Sequence, residues 1–366
     1  MKIKHVAILM AATLAVAAAG CRSTSSWTGT PPDLWHVPKT KVALYLDVGC
    51  RGGGAIQWAR LLKSSPEIAC TFINADDLQA GKLKDFEVLV MPGGGGLERY
   101  DQLGEEGFEK IRRFIREGGK YYGTCAGIAM ALNDPKRLRL IPYKREKNPP
   151  RGGFSAAVKL NKRAEELLGV PAATRYFRYH DGPLPAKGDP VPDSEYEVLA
   201  TFDSHVMQRG KSITPMHGMP AMIYGRYGKG KVLVTVMHPE YYPSTYDVLA
   251  GGFKALTGRA VTFSLPPKTG ERLLRVVYYA GEIDQLGDTR ATVEDALALD
   301  ARDDVDVRFV RGEEIAEGAL DHADALVIPG GRQKNMWRAA RPLIEQFKAC
   351  GHPVYAACKD MHGEKQ

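Results

Sequence analysis

A cysteine lies between two glycines in the segment GTCAG, residues 123–127. The residues before it, GGKYY, predict a strand, and the AGIAMAL that begins just after the cysteine predicts a helix. A Gly-x-nucleophile-x-Gly turn between a strand and a helix pushes the central side chain out at a strained bend, where the helix N-terminus favours a thiolate. Small residues also follow a strand wherever a helix packs tightly on a sheet. Cys125 is therefore a candidate nucleophile on condition that a base lies near it.

The segment VTVMHPEYYP contains a candidate base and a candidate carboxylate. His238 follows an apolar run that predicts a strand, and Glu240 lies two residues further on. A histidine with an orienting carboxylate, both at a strand end, is the arrangement of a Cys-His-Glu triad. The alternatives are an ordinary surface histidine and a carboxylate at the start of a helix.

The glycine run in MPGGGG, residues 91–96, follows another apolar segment. The backbone amides of Gly93 and Gly94, together with that of Ala126, are candidates for an oxyanion hole, because N–H groups at such turns stabilise developing negative charge. The alternative is a flexible turn.

Other residues beside predicted turns are candidates for the wall of the pocket. The run GCRGGG, residues 49–54, lacks the Gly-Lys-Ser/Thr of a phosphate-binding loop and is predicted to be the turn after the first strand. Arg51 in this turn is a candidate to meet a substrate carboxylate. His180 and Asp181, in YHDGP, either reach the pocket or belong to an Asp-Gly-Pro turn.

The elements around these motifs predict an α/β fold. Near-continuous apolar strands alternate with helices, which favours a doubly wound, mostly parallel sheet of the flavodoxin-like type. The predicted strands are 41–48, 70–78, 85–96 and 118–125, and the predicted helices are 55–65, 104–117 and 126–132. Residues 150–236 are antiparallel in character and end in a hairpin that turns at 228–230. Since ligands bind at the carboxyl ends of parallel strands, the glycine run and Cys125 are expected to meet there.

An internal repeat follows the first domain. Three segments after residue 270 resemble three segments before residue 126: LRVVYYAGE resembles KVALYLDVG, DALVIPGG resembles FEVLVMPGG, and LIEQFKACGHPVYAAC resembles IRRFIREGGKYYGTC. Cys358 lies 233 residues after Cys125, and Pro329 lies 237 residues after Pro92. The copy has no equivalent of HPE and lacks both glycines around Cys358, so Cys358 is predicted not to be catalytic.

The C-terminal segment CGHPVYAACKDMH brings together residue types that bind zinc. They are Cys350, His352, Cys358 and His362, and their spacing matches no common zinc module. The repeat already accounts for Cys358, so no metal site and no cofactor are predicted.

The first residues predict export. Lys2 and Lys4 precede an apolar run from Val6 to Ala19, and AAGC closes it. This run suits a secretory signal, and a cysteine after Ala-Ala-Gly resembles a lipoprotein cleavage box with Cys21 as the lipidated residue. The alternative is an ordinary signal peptide. The polar, proline-containing residues that follow suit a tether.

These patterns together predict four regions. They are a lipoprotein signal peptide at 1–20, a tether at 21–40, a catalytic domain at 41–265 and a partial, degenerate copy of the same fold at 266–366. The protein is then expected in a bacterial cell envelope, attached to a membrane through the lipid on Cys21.

The composition argues against a nucleic-acid partner. The formal charge is +7, but basic and acidic residues are interspersed, which is typical of solvated helix faces. If Cys21 is lipidated, five of the six cysteines remain, so at least one thiol has no partner in the chain.

The order PGG, GTCAG and HPE resembles the class I glutamine amidotransferase-like superfamily. More narrowly, GGKYYGTCAGIAMA, YHDGP and YGKGKVLVTVMHPE look like the domain at the N-terminus of eukaryotic biotin–protein ligases and in stand-alone bacterial proteins. The resemblance spans about residues 41–260 and, more weakly, residues 272–360. It implies a doubly wound domain with Cys125 as nucleophile, His238 as base and Glu240 as its orienting carboxylate.

The resemblance does not imply biotin ligase activity, because no segment looks like the domain that forms biotinyl-adenylate. No attached synthetase domain is recognisable that would receive ammonia. The function predicted is an exported, lipid-anchored, cysteine-dependent hydrolase of a small-molecule or peptide amide. The alternative is a non-catalytic envelope module that binds a ligand in the same pocket. The sequence indicates neither the substrate nor an oligomeric state.

Overall fold

A nine-stranded sheet forms the centre of the chain in the computed structural model. The structure describes residues 38–50, 52–147, 149–204, 206–208, 211–214, 216–270, 272–280, 289–329 and 337–356. The predicted signal segment, Cys21 and Arg51 lie outside the described residues, as does most of the predicted tether.

Five parallel strands form one half of this sheet. They are β1 (Thr40–Tyr45), β2 (Ile68–Ile73), β3 (Val88–Met91), β4 (Lys120–Thr124) and β13 (Gly230–Thr235). Their order is β2-β1-β3-β4-β13, which is the order of a flavodoxin-like, doubly wound sheet. Every residue of β3 is buried, as the apolar sequence of a parallel strand covered on both faces requires. The predicted fold class is confirmed.

Four helices connect or follow the parallel strands of the first copy. They are α1 (Gly52–Ser64), α2 (Ala75–Gln79), α3 (Gly96–Arg116) and α4 (Ala126–Ala131). The chain passes from β4 directly into α4 with Cys125 between them, so the predicted strand-to-helix turn is present.

Antiparallel strands form the other half of the sheet, beside β13. They are β6 (Gly153–Leu160), β7 (Thr174–His180), β9 (Ser194–Phe202) and β12 (Pro220–Tyr227). Their order from β13 outward is β12-β9-β6-β7. Four short strands pair separately as β5 (Tyr143–Arg145) with β8 (Pro185–Lys187) and β10 (Val206–Gln208) with β11 (Lys211–Thr214). Two helices complete the domain, α5 (Lys162–Leu168) and α6 (Tyr246–Thr257).

Some element boundaries differ from the prediction. Strand β2 ends at Ile73 because Asn74 caps α2: its side chain accepts a hydrogen bond from the Asp77 N–H at 2.9 Å. Helix α3 begins at Gly96 rather than Gly104, and Gly104 interrupts it with φ 63°. The hairpin turn consists of Gly228 and Lys229, since Gly230 already pairs with Tyr227 as the first residue of β13.

The turn after β1 is also shorter than predicted. Helix α1 begins at Gly52, so three glycines of GCRGGG form its first turn. Their lack of side chains allows a close approach of the segment that contains Glu240. A Cβ on Gly53 would lie 2.2 Å from Tyr241 Oη, and one on Gly54 would lie 3.4 Å from Glu240 Oε1.

The second copy repeats the parallel half of the first. Its strands are β14 (Leu274–Tyr279), β15 (Val305–Val310), β16 (Ala325–Ile328) and β17 (Val354–Ala356), and its helices are α7 (Thr289–Asp300), α8 (Gly312–Ala316) and α9 (Trp337–Ala349). All its strands are parallel, in the order β15-β14-β16-β17, which is equivalent to β2-β1-β3-β4. Helix α7 packs on α1, where the Arg60 guanidinium donates to the Asp300 carboxylate at 2.6 Å. Within the described ranges, no helix is long and apolar enough to cross a membrane.

Candidate active site

Cys125 occupies a strained turn between β4 and α4. Its φ and ψ are 52° and −104°, a conformation that non-glycine residues rarely adopt. The turn is fixed by a hydrogen bond from the Cys125 N–H to the Thr235 carbonyl oxygen at 2.9 Å. The flanking glycines are needed for packing, because a Cβ on Gly127 would lie 2.3 Å from the Met91 carbonyl oxygen. Strain of this kind persists where the surroundings over-determine it, and such residues concentrate at active sites.

His238 and Glu240 lie beside this turn. The His238 N–H donates to the Arg178 carbonyl oxygen at 2.9 Å, and this bridge to β7 fixes the backbone of the histidine. His238 Nδ1 lies 2.7 Å from Glu240 Oε1, which leaves Nε2 for a second partner. The Cys125 thiol lines the same small cavity as the imidazole, and its Sγ donates to the His180 carbonyl oxygen at 3.5 Å. The three residues of the predicted triad are therefore adjacent.

Two residues lie behind Glu240 in the core. The Thr124 hydroxyl donates to Glu240 Oε1 at 3.5 Å, and Trp58 Nε1 donates to Thr124 Oγ1 at 3.0 Å. Trp58, Thr124 and Glu240 are fully buried. Glu240 Oε2 has no hydrogen-bond partner among the described residues. Neither Trp58 nor Thr124 was predicted from the sequence as a supporting residue, although Thr124 lies within GTCAG.

The charges of the triad act on one another. Burial raises the pKa of the Cys125 thiol, but the charge and hydrogen bond of His238 outweigh it, and Arg311 contributes in the same direction. The net result is a thiol pKa below its ordinary value. Burial also lowers the pKa of His238, but the Glu240 carboxylate and the Cys125 thiolate outweigh this and raise it to about 9. Both shifts favour the pair of a thiolate and an imidazolium over the neutral thiol and imidazole.

The glycine run after β3 forms the floor of the site. A Cβ on Gly93 would lie 2.9 Å from His238 Cε1 and 3.5 Å from the Cys125 Cβ, so any side chain there would displace the imidazole. Gly94 has φ 142° and forms an antiparallel bridge with Cys50. Ala126 is buried at the start of α4. The assignment of these three residues to an oxyanion hole stays a prediction.

A small cavity of about 40 Å³ opens onto the thiol. Its lining residues are Gly54, Gly93, Gly94, Cys125, His180, Asp181, His238 and Arg311. His180 and Asp181 thus reach the pocket, and Ala126 is not part of its lining. A larger cavity of about 840 Å³ lies between α1 and α7 and contains no triad residue.

The second copy closes this cavity. Glu313 Oε1 of α8 lies 3.1 Å from His180 Nε2, and Glu314 Oε2 lies 3.8 Å from Arg178 Nη2. The Arg178 guanidinium lies over the Tyr241 ring, which in turn contacts the His238 ring edge-on. The packing of α8 against β7 could not be predicted from the sequence, because a repeat predicts a fold but not the surface on which the second copy packs.

Of the four residues with zinc-binding side chains in the C-terminal segment, Cys350 and His352 lie within the described part of the chain. Cys350 is exposed at the end of α9, and Cys358 and His362 lie outside the described residues. Over the residues that the structure covers, no group of three or more His, Cys, Asp or Glu side chains could hold a metal ion.

Comparisons with known proteins agree with the sequence motifs. Residues 61–133 match the family described as "Biotin-protein ligase, N terminal". The chain is 25% identical over 163 residues to the pyridoxal 5'-phosphate synthase subunit PdxT of Koribacter versatilis, covering 43% of this chain and 71% of that protein. It is 25% identical over 197 residues to the biotin–protein ligase of Schizosaccharomyces pombe, covering 48% of this chain but 29% of the ligase. A glutamine amidotransferase of Thermotoga maritima aligns with a TM-score of 0.37 at 15% identity, over 59% of this chain and 82% of that one.

These similarities confirm the resemblance to the class I glutamine amidotransferase-like superfamily found in the sequence, and residues 61–133 match the biotin–protein ligase N-terminal family.

Proposed function

We propose that this protein is a cysteine-dependent hydrolase of an amide or peptide bond. The observation that carries the proposal is that Cys125 and His238 line one cavity, with His238 Nδ1 2.7 Å from Glu240 Oε1. A strained elbow and a thiol pKa held below its ordinary value support the same role. A purely structural cysteine needs none of these features.

The geometry supports a two-step reaction. The Cys125 thiolate attacks the carbonyl carbon of the amide, and the negative charge that develops on the carbonyl oxygen is stabilised by backbone N–H groups of the glycine run at Gly93 and Gly94. The His238 imidazolium then gives its proton to the departing nitrogen, so the C–N bond breaks and an amine leaves. Neutral His238 next takes a proton from water, and the resulting hydroxide attacks the thioester. The C–S bond then breaks, which releases a carboxylic acid and restores the Cys125 thiolate beside the protonated His238.

The proposed reaction is not biotin transfer. The alignment with the Schizosaccharomyces pombe biotin–protein ligase covers 29% of that protein, so its activity as a whole does not extend to this chain by similarity. We also propose that the protein is exported and held at a membrane of the cell envelope through a lipid on Cys21. The AAGC motif after the apolar run supports this location.

The proposal is tested by the rate at which iodoacetamide alkylates Cys125 as a function of pH. Mass spectrometry of the peptide that contains Cys125 separates this thiol from the others, and the exposed Cys350 serves as the internal reference. The expected result is a Cys125 thiolate that titrates well below the free value of about 8.5. In His238→Ala this shift is lost, and burial then raises the thiol pKa.

If the pH dependence of Cys125 alkylation shows an ordinary thiol pKa and is the same in His238→Ala, the hydrolase function is excluded. The ligand-binding module is then the remaining function. If the pair is activated, a panel of amide substrates follows, with Cys125→Ala as the inactive control. Hydrolysis that persists in Cys125→Ala would also contradict the proposal.

A further inference from the structure

The second copy contributes an arginine to the cavity that holds the triad. Arg311 follows β15 directly, is 8% exposed, and lines the cavity together with Cys125 and His238. Its Nε is buried without a hydrogen-bond partner among the described residues. A guanidinium stays charged in proteins, and apart from the Cys125 thiolate, whose formation it favours, Arg311 has no ion-pair partner among the described residues. An arginine placed in this way indicates a site for an anion.

The acidic residues next to Arg311 interact with other groups. The Glu313 carboxylate contacts His180, and the Glu314 carboxylate contacts Arg178 and accepts a hydrogen bond from the Arg311 backbone N–H at 3.0 Å. Within the described part of the chain, neither forms an ion pair with the Arg311 guanidinium. Asp181 also lines the cavity, but its carboxylate accepts a hydrogen bond from the Gly152 N–H at 2.7 Å. Among the described residues, no carboxylate forms an ion pair with the Arg311 guanidinium.

The first copy has a different residue, Asn74, at the position equivalent to Arg311. Arg311 lies 237 residues after Asn74, the same offset that relates Pro329 to Pro92, and both positions precede a short helix. Asn74 caps its helix by accepting from a backbone N–H, whereas a guanidinium has no acceptor atom. The second copy thus has a residue that cannot cap where the first copy has a good cap. Helix stability does not account for an arginine here.

We propose that Arg311 binds a carboxylate of the substrate inside the triad cavity and so determines specificity for amides that carry this group. As a statement about substrates, the proposal rests on the hydrolase function proposed above. A planar guanidinium matches a carboxylate through two parallel N–H···O hydrogen bonds. The second copy, which has no elbow of its own, then acts as the substrate-recognition part of the site.

The cavity places an anion next to the nucleophile. It is small, with a volume of about 40 Å³, and Arg311 and Cys125 both line it. An anion held by the guanidinium therefore lies beside the thiol.

The test compares two electrophiles that differ in one carboxylate. Iodoacetate and iodoacetamide transfer the same methylene carbon to sulfur, but only iodoacetate is anionic. The full-length chain is treated with each, and the ratio of the two rate constants is measured at Cys125 and at the exposed Cys350 by peptide mass spectrometry. Both reagents attack the same thiolate, so the ratio is independent of the thiol pKa. We expect the ratio at Cys125 to exceed that at Cys350 about tenfold, the effect of one charge-assisted contact.

The variants separate the guanidinium from its surroundings. Arg311→Asn places the residue of the first copy at this position and is expected to lower the ratio at Cys125 to that at Cys350. Arg311→Lys keeps the charge and is expected to retain part of the preference. Arg308→Asn, at an exposed position of β15, removes the same charge outside the cavity and is expected to change nothing.

Three results would overturn the proposal. They are equal ratios at Cys125 and Cys350 in the unmodified chain, an unchanged preference in Arg311→Asn, and a Cys125 that neither reagent reaches while Cys350 reacts. Failure of the hydrolase proposal is distinguishable, because it appears as an iodoacetamide pH profile that His238→Ala does not alter. The iodoacetate preference can persist in that case.

Discussion

Replacement of Glu240 by Gln is predicted to uncouple the base from the nucleophile. The carboxylate is fully buried and 2.7 Å from His238 Nδ1, and its charge is the largest contribution that raises the pKa of His238 to about 9. A hydrogen bond to a charged group contributes about 1.5–3 kcal/mol. Since one pKa unit corresponds to about 1.4 kcal/mol, the variant should lower the pKa of His238 by about 1–2 units.

The consequence is measurable at the thiol. At pH 8 the unmodified chain keeps His238 protonated beside Cys125, whereas Glu240→Gln largely loses this cation, and burial then raises the pKa of the Cys125 thiol. We expect iodoacetamide to alkylate Cys125 about tenfold more slowly at pH 8, with a smaller difference near pH 10. The assay is the alkylation rate between pH 5 and pH 10, again with Cys350 as reference.

The matched control is Glu106→Gln, which removes a carboxylate whose side chain is 78% exposed on α3. An unchanged Cys125 profile in Glu240→Gln, with the fold intact by circular dichroism, would refute the argument that the carboxylate sets the charge of the base. A slowdown of equal size in Glu106→Gln would refute it too, because the effect would then be one of net charge.

Three further predictions concern the surroundings of the triad. Gly93→Ala places a Cβ 2.9 Å from His238 Cε1. Alkylation of Cys125 should therefore slow at least about tenfold, while the free energy of unfolding changes by about 1 kcal/mol. An unchanged alkylation rate would show that the imidazole tolerates the side chain. Thr124→Val removes the hydroxyl that donates to Glu240 and accepts from Trp58, and urea unfolding should show a loss of about 1–3 kcal/mol that Thr124→Ser largely avoids. Burial raises the pKa of Glu313, but the contact with His180 outweighs this and lowers the pKa to about 2 from an ordinary value of 4.5. The stabilisation that ionised Glu313 provides is therefore complete above pH 4.5 and is lost as the pH falls towards 2. Glu313→Gln should therefore lower the free energy of unfolding by about 1–2 kcal/mol at pH 7 and by much less near pH 2; a deficit independent of pH would contradict this.

The sequence was sufficient to predict the parallel half of the fold and the meeting of the triad. Strands buried on both faces are read directly from apolar runs, and a parallel sheet brings their carboxyl ends to one edge. Cys125 and Gly93 follow neighbouring strands, so their proximity needs no knowledge of loops. His238 follows β13, which pairs with β4. Each of these placements depends on a strand and the residue directly after it.

The supporting residues could not be predicted in the same way. Trp58 lies 66 residues before its hydrogen-bond partner Thr124, and its indole N–H has no sequence signal that distinguishes it from a core tryptophan. Arg311 reaches the cavity through the packing of one copy on the other, which depends on side chains of both surfaces. The interruption of α3 at Gly104 was missed because a glycine inside an amphipathic pattern does not reveal its φ.

The repeat explains how a copy without an elbow can still serve the site. Its strand order is equivalent to that of the first copy, so the turn between β15 and α8 lies at the carboxyl edge of its own sheet, as the turn at Asn74 does in the first. A duplicated sheet therefore offers a second set of loops with the right direction, and one of them contacts the end of β7 through Glu313 and Glu314. That turn does not depend on the glycines that the second copy lacks around Cys358. Arg311 and the triad therefore meet at one cavity although they lie on different copies.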